Sequence, residues 1–150
     1  MKNIFSFLIL IFLFSSCLKG SETLAPLNQT EADIIKYIAD NNLNAQRSDS
    51  GLYYVINNEG SGARPTNTSN VTIAYKGYFL DGTIFDQNSS GYKTPLNKVI
   101  KGWTEGITYF KEGGDGILLV PSNLGYGSNG YSSIPGGAVL IFDVRLISIN

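Results

Sequence analysis

The chain has 150 residues, with 11 basic and 12 acidic side chains, no histidine and one cysteine. This length allows one domain with a small appendage, and the nearly neutral charge gives no electrostatic reason to bind nucleic acid. Without histidine and with a single cysteine, imidazole catalysis, internal disulfides and the usual zinc sites are excluded, so we expect a chemistry that needs no metal and no cofactor.

The N-terminal residues have the pattern of a bacterial export signal. Lys2 precedes an apolar run from Ile4 to Phe14. Eleven helical residues span roughly half of a ~30 Å hydrocarbon core, which favours a cleaved signal peptide over a membrane-spanning helix. The run ends in "FSSC" (14–17), which resembles a bacterial lipobox, so we predict a signal peptide at 1–16 and a lipid anchor at Cys17. An incidental cysteine beside an ordinary cleavage site is the alternative.

Residues 17–50 are predicted to join this anchor to the folded domain. The segment "LKGSETLAPLNQ" (18–29) is polar and typical of a tether, so the lipidated cysteine and tether occupy 17–29. Next, Thr30 and Asp33 have capping-box spacing ahead of an apolar face that ends at Asn41. This pattern predicts a short packing or spacing helix over 31–41, within a helix-and-linker region of 30–50. One short helix is thin support for dimerisation, so we expect a monomer.

From Gly51 onward the chain has short β-type runs separated by glycine-rich turns. Asp81 and Gly82 predict a tight hairpin, and "QNSSGYKTPLN" (87–97) is predicted as a loop. The one helix of this region has Trp103, Ile107 and Phe110 on one face, and Gly113-Gly114 are predicted to end it. The predicted strands are 52–56, 71–80, 83–86, 116–120 and 138–149. The fold class is therefore α+β, with mostly antiparallel strands and one short helix.

The stretch "GYGSNG" (125–130) fits the G-x-G-x-x-G pattern of dinucleotide-binding proteins. "GILLV" (116–120) precedes it as a strand, and Asp143 follows at a suitable distance. The fingerprint also needs a helix that opens on the last glycine. Here "YSSIPGG" follows, and its proline and two glycines exclude that helix. The stretch is therefore a turn-rich loop, and dinucleotide binding is excluded.

Several separated motifs together resemble the FKBP-type peptidyl-prolyl isomerases. They are "VTIAYKGYFLDGTIFD", "VIKGWTEGI" and "LGYGSNG…IPGGAVLIFDVRLI". The resemblance places the isomerase-like domain at 51–150 and implies an antiparallel sheet curled around one short helix, with a shallow apolar pocket between them. It also implies proline-containing polypeptides as substrates and macrolides as inhibitors, although Leu124 stands where many relatives have an aromatic residue.

The same resemblance indicates which residues of this sequence are expected to form the pocket. Those expected to take part in catalysis are Asp86, Phe85, Tyr126 and Trp103. Those expected to bind substrate are Tyr75, Val99, Ile100, Ile134, Phe142 and the pocket-edge aromatic Tyr92. Tyr131 occupies a loop position that varies among relatives and is a further candidate for substrate contact.

These residue types suit rotation about a prolyl bond. The barrier of ~18–20 kcal/mol comes from amide resonance, and no covalent bond has to break. A dry aromatic pocket costs the twisted amide less than the planar one, so catalysis is selective binding of the twisted geometry. We expect Trp103 to lie beneath the proline ring, Tyr126 and the Ile100 N–H to donate to substrate carbonyls, and Asp86 to orient the twisted group.

Alternative interpretations remain at this stage. Asp86 could be a turn-capping carboxylate, Tyr126 a loop aromatic, and Trp103 and Phe142 plain core residues. For the whole protein, the leading hypothesis is a lipid-anchored prolyl isomerase of the cell envelope. A non-catalytic peptide-binding module is the second, and a purely structural lipoprotein is the third.

Overall fold

The computed structural model describes residues 24–150, so the predicted signal peptide and Cys17 lie outside the described residues. Helix α1 spans Glu31–Asp40 and helix α2 spans Lys101–Gly106. Short 3₁₀ turns occur at Leu96–Lys98, Ile107–Tyr109 and Ser122–Leu124. The strands are β1 (Gln46–Arg47), β2 (Tyr53–Asn58), β3 (Asn70–Tyr78), β4 (Ile84–Pro95), β5 (Asp115–Val120) and β6 (Leu140–Ile149).

The six strands form one antiparallel sheet in the order β1-β2-β5-β6-β3-β4. Strand β3 lies between β4 and β6, and the hairpin predicted at Asp81-Gly82 joins β3 to β4. Two backbone hydrogen bonds close the turn: the Phe79 N–H donates to the Thr83 carbonyl, and the Gly82 N–H donates to the Phe79 carbonyl. The predicted α+β class with an antiparallel sheet around a short helix is confirmed.

Helix α2 packs against one face of the sheet and closes the main core. Trp103, Ile107 and Phe110 are all buried there, as their spacing predicts. The helix lies very close to β5 because two glycines face it: a Cβ at Gly102 would come within 2.5 Å of Val120, and one at Gly106 within 2.7 Å of Leu118. The glycines therefore determine how closely α2 approaches the sheet, and this distance determines the position of Trp103.

Helix α1 covers the opposite face of the sheet. Ile34 is fully buried against β5 and β6, in a second cluster with Leu119, Val139 and Ile141. The predicted capping box is present, since the Asp33 carboxylate accepts the Thr30 N–H at 2.7 Å. The N-terminal helix is thus packed onto the domain.

Two predicted boundaries are wrong by more than two residues, and the other predicted ends differ from the structure by at most two. Residues 87–97, predicted as a loop, continue strand β4 to Pro95. Serine, asparagine and glycine indicated a loop, but an edge strand tolerates them because one side faces solvent, and Asn88 accepts the Ser90 and Gly91 N–H groups where the register shifts. Helix α2 ends at Gly106, before the predicted Gly113-Gly114, because the chain tightens into a 3₁₀ turn and Phe110 becomes extended as it enters the core.

Between residues 24 and 150, no helix combines the length and apolar character needed to cross a bilayer.

Candidate active site

The floor of the candidate site is Trp103, which α2 holds against β3 and β6. Its ring meets Tyr75 edge-on at a centroid distance of 5.0 Å and Phe142 at 5.3 Å. Such T-shaped pairs are the favoured geometry of aromatic rings. Only 4% of Trp103 is exposed, and within residues 24–150 its Nε1 is the one fully buried side-chain polar atom without a hydrogen-bond partner. The floor is therefore a closely packed aromatic surface.

The wall on the β4 side carries Phe85 and the site's one carboxylate. Phe85 packs edge-on against Phe142 with ring centroids 5.6 Å apart. The next residue, Asp86, accepts a 2.6 Å hydrogen bond from the Tyr75 hydroxyl. Burial first, and then this hydrogen bond and the nearby negative charge, raise the pKa of Tyr75 above that of a free phenol. Tyr75 therefore stays protonated and holds Asp86 in position.

The rim loop, defined as residues 125–137, forms the opposite side of the site. Tyr126 and Tyr131 stack there with ring centroids 5.4 Å apart and an interplanar angle of 14°. Burial and the charge of Asp86 raise the pKa of Tyr126, so its hydroxyl is a donor at neutral pH. Ile134, 9% exposed, completes this side.

The segment between the 3₁₀ turn Leu96–Lys98 and α2 contributes Val99 and Ile100. The Ile100 carbonyl accepts the first helical N–H groups, those of Trp103 and Thr104, at 3.0 Å each. Among the hydrogen bonds between residues 24 and 150, none uses the Ile100 N–H or the Tyr126 hydroxyl. Both groups at the pocket are therefore available to a bound peptide.

All the predicted pocket residues line one open cavity of ≈ 740 Å³. The cavity brings together residues that are up to 67 positions apart along the chain, from Tyr75 to Phe142. Sequence reasoning missed Lys98, Ser132 and Ser133, which also line the cavity. Each directly follows or precedes a predicted pocket residue or candidate, and that adjacency is the only signal that could have indicated them.

The comparison with known families agrees with this geometry. Residues 62–147 match the family model described as FKBP-type peptidyl-prolyl cis-trans isomerase. The chain belongs to that family. The matched region contains every residue of the FKBP-type pocket described above, from Tyr75 to Phe142.

Two of the FKBP-type relatives are bacterial proteins. The chain is 44% identical over 105 residues to the probable FKBP-type isomerase FkpA of Neisseria meningitidis serogroup B, a match that covers 67% of this chain and 39% of that protein. It is 36% identical over 124 residues to the FKBP-type 22 kDa isomerase of Escherichia coli K12, covering 79% of this chain and 60% of that one. The chain thus spans less than two thirds of the length of these relatives.

Among solved FKBP-type structures, FkpA from Escherichia coli superposes with a TM-score of 0.74 at 32% identity, covering 79% of this chain and 58% of that one. The isomerase from Pseudomonas syringae pv. tomato superposes with a TM-score of 0.70 at 27% identity and is covered over 96% of its length. The arrangement of sheet and helix is therefore that of the family.

Proposed function

We propose that this protein is a peptidyl-prolyl cis-trans isomerase that accelerates rotation about X-Pro bonds in polypeptides. The observation that carries the proposal is the aromatic cavity floored by Trp103. Among the residues of 24–150 that line this cavity, Asp86 is the only one with a carboxylate. Such a cavity offers an aromatic floor and walls with few charged groups, which suits a reaction that breaks no covalent bond.

The physical basis is a difference in hydration between the planar and the twisted amide. A planar prolyl amide is polar and strongly hydrated, whereas the twisted amide has lost resonance and part of its polarity. An apolar floor and walls therefore cost the twisted form less than the planar form. Each ~1.4 kcal/mol of this preference lowers the barrier enough for a tenfold rate increase.

The roles of the polar groups follow from their positions at the edge of this cavity. The Tyr126 hydroxyl and the Ile100 N–H are unpaired donors that can hold substrate carbonyls on either side of the proline. Asp86, held by the Tyr75 hydroxyl at 2.6 Å, is the group that we propose orients the polar edge of the twisted amide. Val99, Ile134, Phe142 and Tyr92 complete the apolar enclosure.

The direct test is exchange NMR on an Ala-Pro peptide, with and without catalytic amounts of the protein. We expect faster cis/trans exchange together with a change in Trp103 fluorescence on peptide addition. Binding without faster exchange would favour a non-catalytic docking module. Neither binding nor faster exchange would favour a purely structural role.

The pH profile of this activity is expected to be flat. The chain has no histidine, and the pKa values of Tyr75 and Tyr126 are raised, so both phenols keep their protons at neutral pH. We therefore expect kcat/KM to vary less than about twofold between about pH 6 and pH 9. A bell-shaped profile with a midpoint near neutrality, measured by exchange NMR, would contradict this mechanism.

Below about pH 6 the activity should fall because the free energy of unfolding decreases. Burial raises the pKa of Glu105, but hydrogen bonds from Ser50, Ser48 and Tyr109 outweigh it and leave the pKa lowered. A lowered folded-state pKa contributes stability above the unfolded value of about 4.3, and that stability is lost as the pH falls through the folded value. Thermal unfolding at about pH 3 and pH 6 should show this loss.

We propose further that the protein acts in the cell envelope, attached to a bacterial membrane through lipid on Cys17. The support is the N-terminal pattern, a short apolar run followed by "FSSC". Exported proteins fold outside the cytoplasm, where prolyl isomerisation, at tens of seconds, can limit folding. Intact-mass analysis of the membrane fraction should show the acyl mass on the wild type and its absence in Cys17→Ser.

A further inference from the structure

The segment just before α1 contacts the loop that carries part of the pocket. The Leu27 N–H donates to the Gly136 carbonyl at 2.8 Å, and the Gln29 N–H donates to the Gly137 carbonyl at 3.0 Å. The Gln29 side chain also accepts the N–H of Val139 at 2.8 Å. Part of the predicted tether, residues 27–29, is thus bonded along the C-terminal side of the rim loop.

Hydrogen bonds within the rim loop connect its contacted end to the part that lines the pocket. The Gly137 N–H donates to the Gly127 carbonyl at 2.9 Å, one residue from Tyr126. Tyr131 and Ile134 exchange two backbone hydrogen bonds of 2.9 Å each and so form a closed turn. The end of the loop that residues 27–29 contact is therefore joined by a backbone hydrogen bond to the part that carries Tyr126, and it follows directly along the chain from the turn that carries Tyr131 and Ile134.

The position of Gln29 is itself well defined. Helix α1 begins two residues later and is fixed to the sheet by the fully buried Ile34. Val139, whose N–H Gln29 accepts, is 1% exposed and lies in the same cluster as Ile34. The Gln29 carboxamide therefore supplies an acceptor to a backbone N–H in the buried part of the chain, where an unpaired donor is costly.

We propose that Gln29 is a positioning residue for substrate binding: through the Val139 N–H it keeps the rim loop in the shape that holds Tyr126 and Ile134 at the pocket. Gln29 touches neither floor nor wall and acts only through the loop. The inference rests on the proposed function insofar as the pocket is taken to bind prolyl peptides. It gives the segment between the predicted anchor and the domain a role in shaping the binding site.

The test compares two replacements of Gln29 in the full chain. Gln29→Met keeps the length and removes the acceptor, whereas Gln29→Glu keeps an acceptor oxygen. With an Ala-Pro peptide as probe, we expect Gln29→Met to raise Kd, read from Trp103 fluorescence, and KM about threefold, as the loss of one hydrogen bond allows. Its kcat should stay within about twofold, since the floor and Asp86 are unchanged, and Gln29→Glu should restore wild-type values.

Hydrogen exchange and a matched variant separate positioning from general loosening. The Val139 and Gly137 amides should exchange faster in Gln29→Met than in the wild type. The control is Tyr53→Phe, which removes the 2.7 Å hydrogen bond that the Tyr53 hydroxyl of β2 donates to Glu31 in the same N-terminal extension, away from the rim loop. Its Kd should equal that of the wild type.

The outcomes are distinct. An unchanged Kd in Gln29→Met, or an equal rise in Tyr53→Phe, overturns the positioning role. A wild type that binds the peptide without accelerating its exchange refutes the isomerase proposal, while the Kd series still decides the role of Gln29. A wild type that does not bind the peptide overturns both.

Discussion

Replacing Asp86 by alanine is expected to lower kcat/KM for an Ala-Pro peptide by about tenfold. A hydrogen bond to a charged group contributes ~1.5–3 kcal/mol, and the lower end applies because Asp86 is exposed. That amount corresponds to about one order of magnitude in rate. Exchange NMR gives the rate, and thermal unfolding should show that the fold survives.

The chain contains a matched control for this variant. Asp143 accepts a hydrogen bond from the Tyr78 hydroxyl at 2.9 Å, the same kind of Tyr–Asp pair, but it does not line the aromatic cavity. Asp143→Ala also loses an ion pair with Lys76, so it should cost at least as much stability as Asp86→Ala. We expect its kcat/KM to stay within about twofold of the wild type. Equal losses in the two variants would show that Asp86 has only a structural role.

Replacing Gly77 by alanine is expected to damage both the pocket and the fold. Gly77 pairs with Asp86 on β4 and with Phe142 on β6. A Cβ there would lie 2.6 Å from the Phe85 ring and 2.9 Å from the Phe142 ring, so both rings must shift. Overpacking of this kind costs about 1–3 kcal/mol of stability. Because both rings line the cavity, we expect kcat/KM to fall about tenfold as well.

A second glycine separates the steric effect from a backbone effect. Gly82, in the β3–β4 turn, has a positive φ of 86° and nothing within 4 Å of an added Cβ. Gly82→Ala should therefore lose about 1 kcal/mol through the backbone alone and keep its kcat/KM. In Gly77→Ala, the further change Phe85→Leu should recover stability, because a smaller side chain removes the clash. No recovery, measured by thermal unfolding, would contradict the proposed clash.

Much of the fold could be predicted from the sequence because the local signals agree with one another. The spacing of Trp103, Ile107 and Phe110 indicated one buried helical face, and Asp81-Gly82 indicated the hairpin. The pocket residues could be named because separated motifs resembled one family. The proline and glycines after Gly130 were enough to exclude the dinucleotide-binding helix, since they act on the backbone directly.

Other features had no local signal. The continuation of β4 beyond Ser89 and Gly91 depends on pairing with β3 on either side of them, of Asn88 with Tyr75 and of Tyr92 with Ile73. The early end of α2 depends on the burial of Phe110 in a core that only the assembled sheet provides. The bonding of Gln29 to Val139 joins residues 110 positions apart.

The amino-acid sequence by itself narrowed the kind of chemistry, because a chain without histidine and with one cysteine offers no imidazole base and no internal disulfide, and its motifs resemble those of a family whose reaction needs neither. Only the tertiary structure decided how the residues of the proposed site come together. An aromatic floor, a Tyr75–Asp86 pair and a rim loop bonded to Leu27 and Gln29 arise from strand pairing and helix packing between distant segments, and no local pattern specifies such distances.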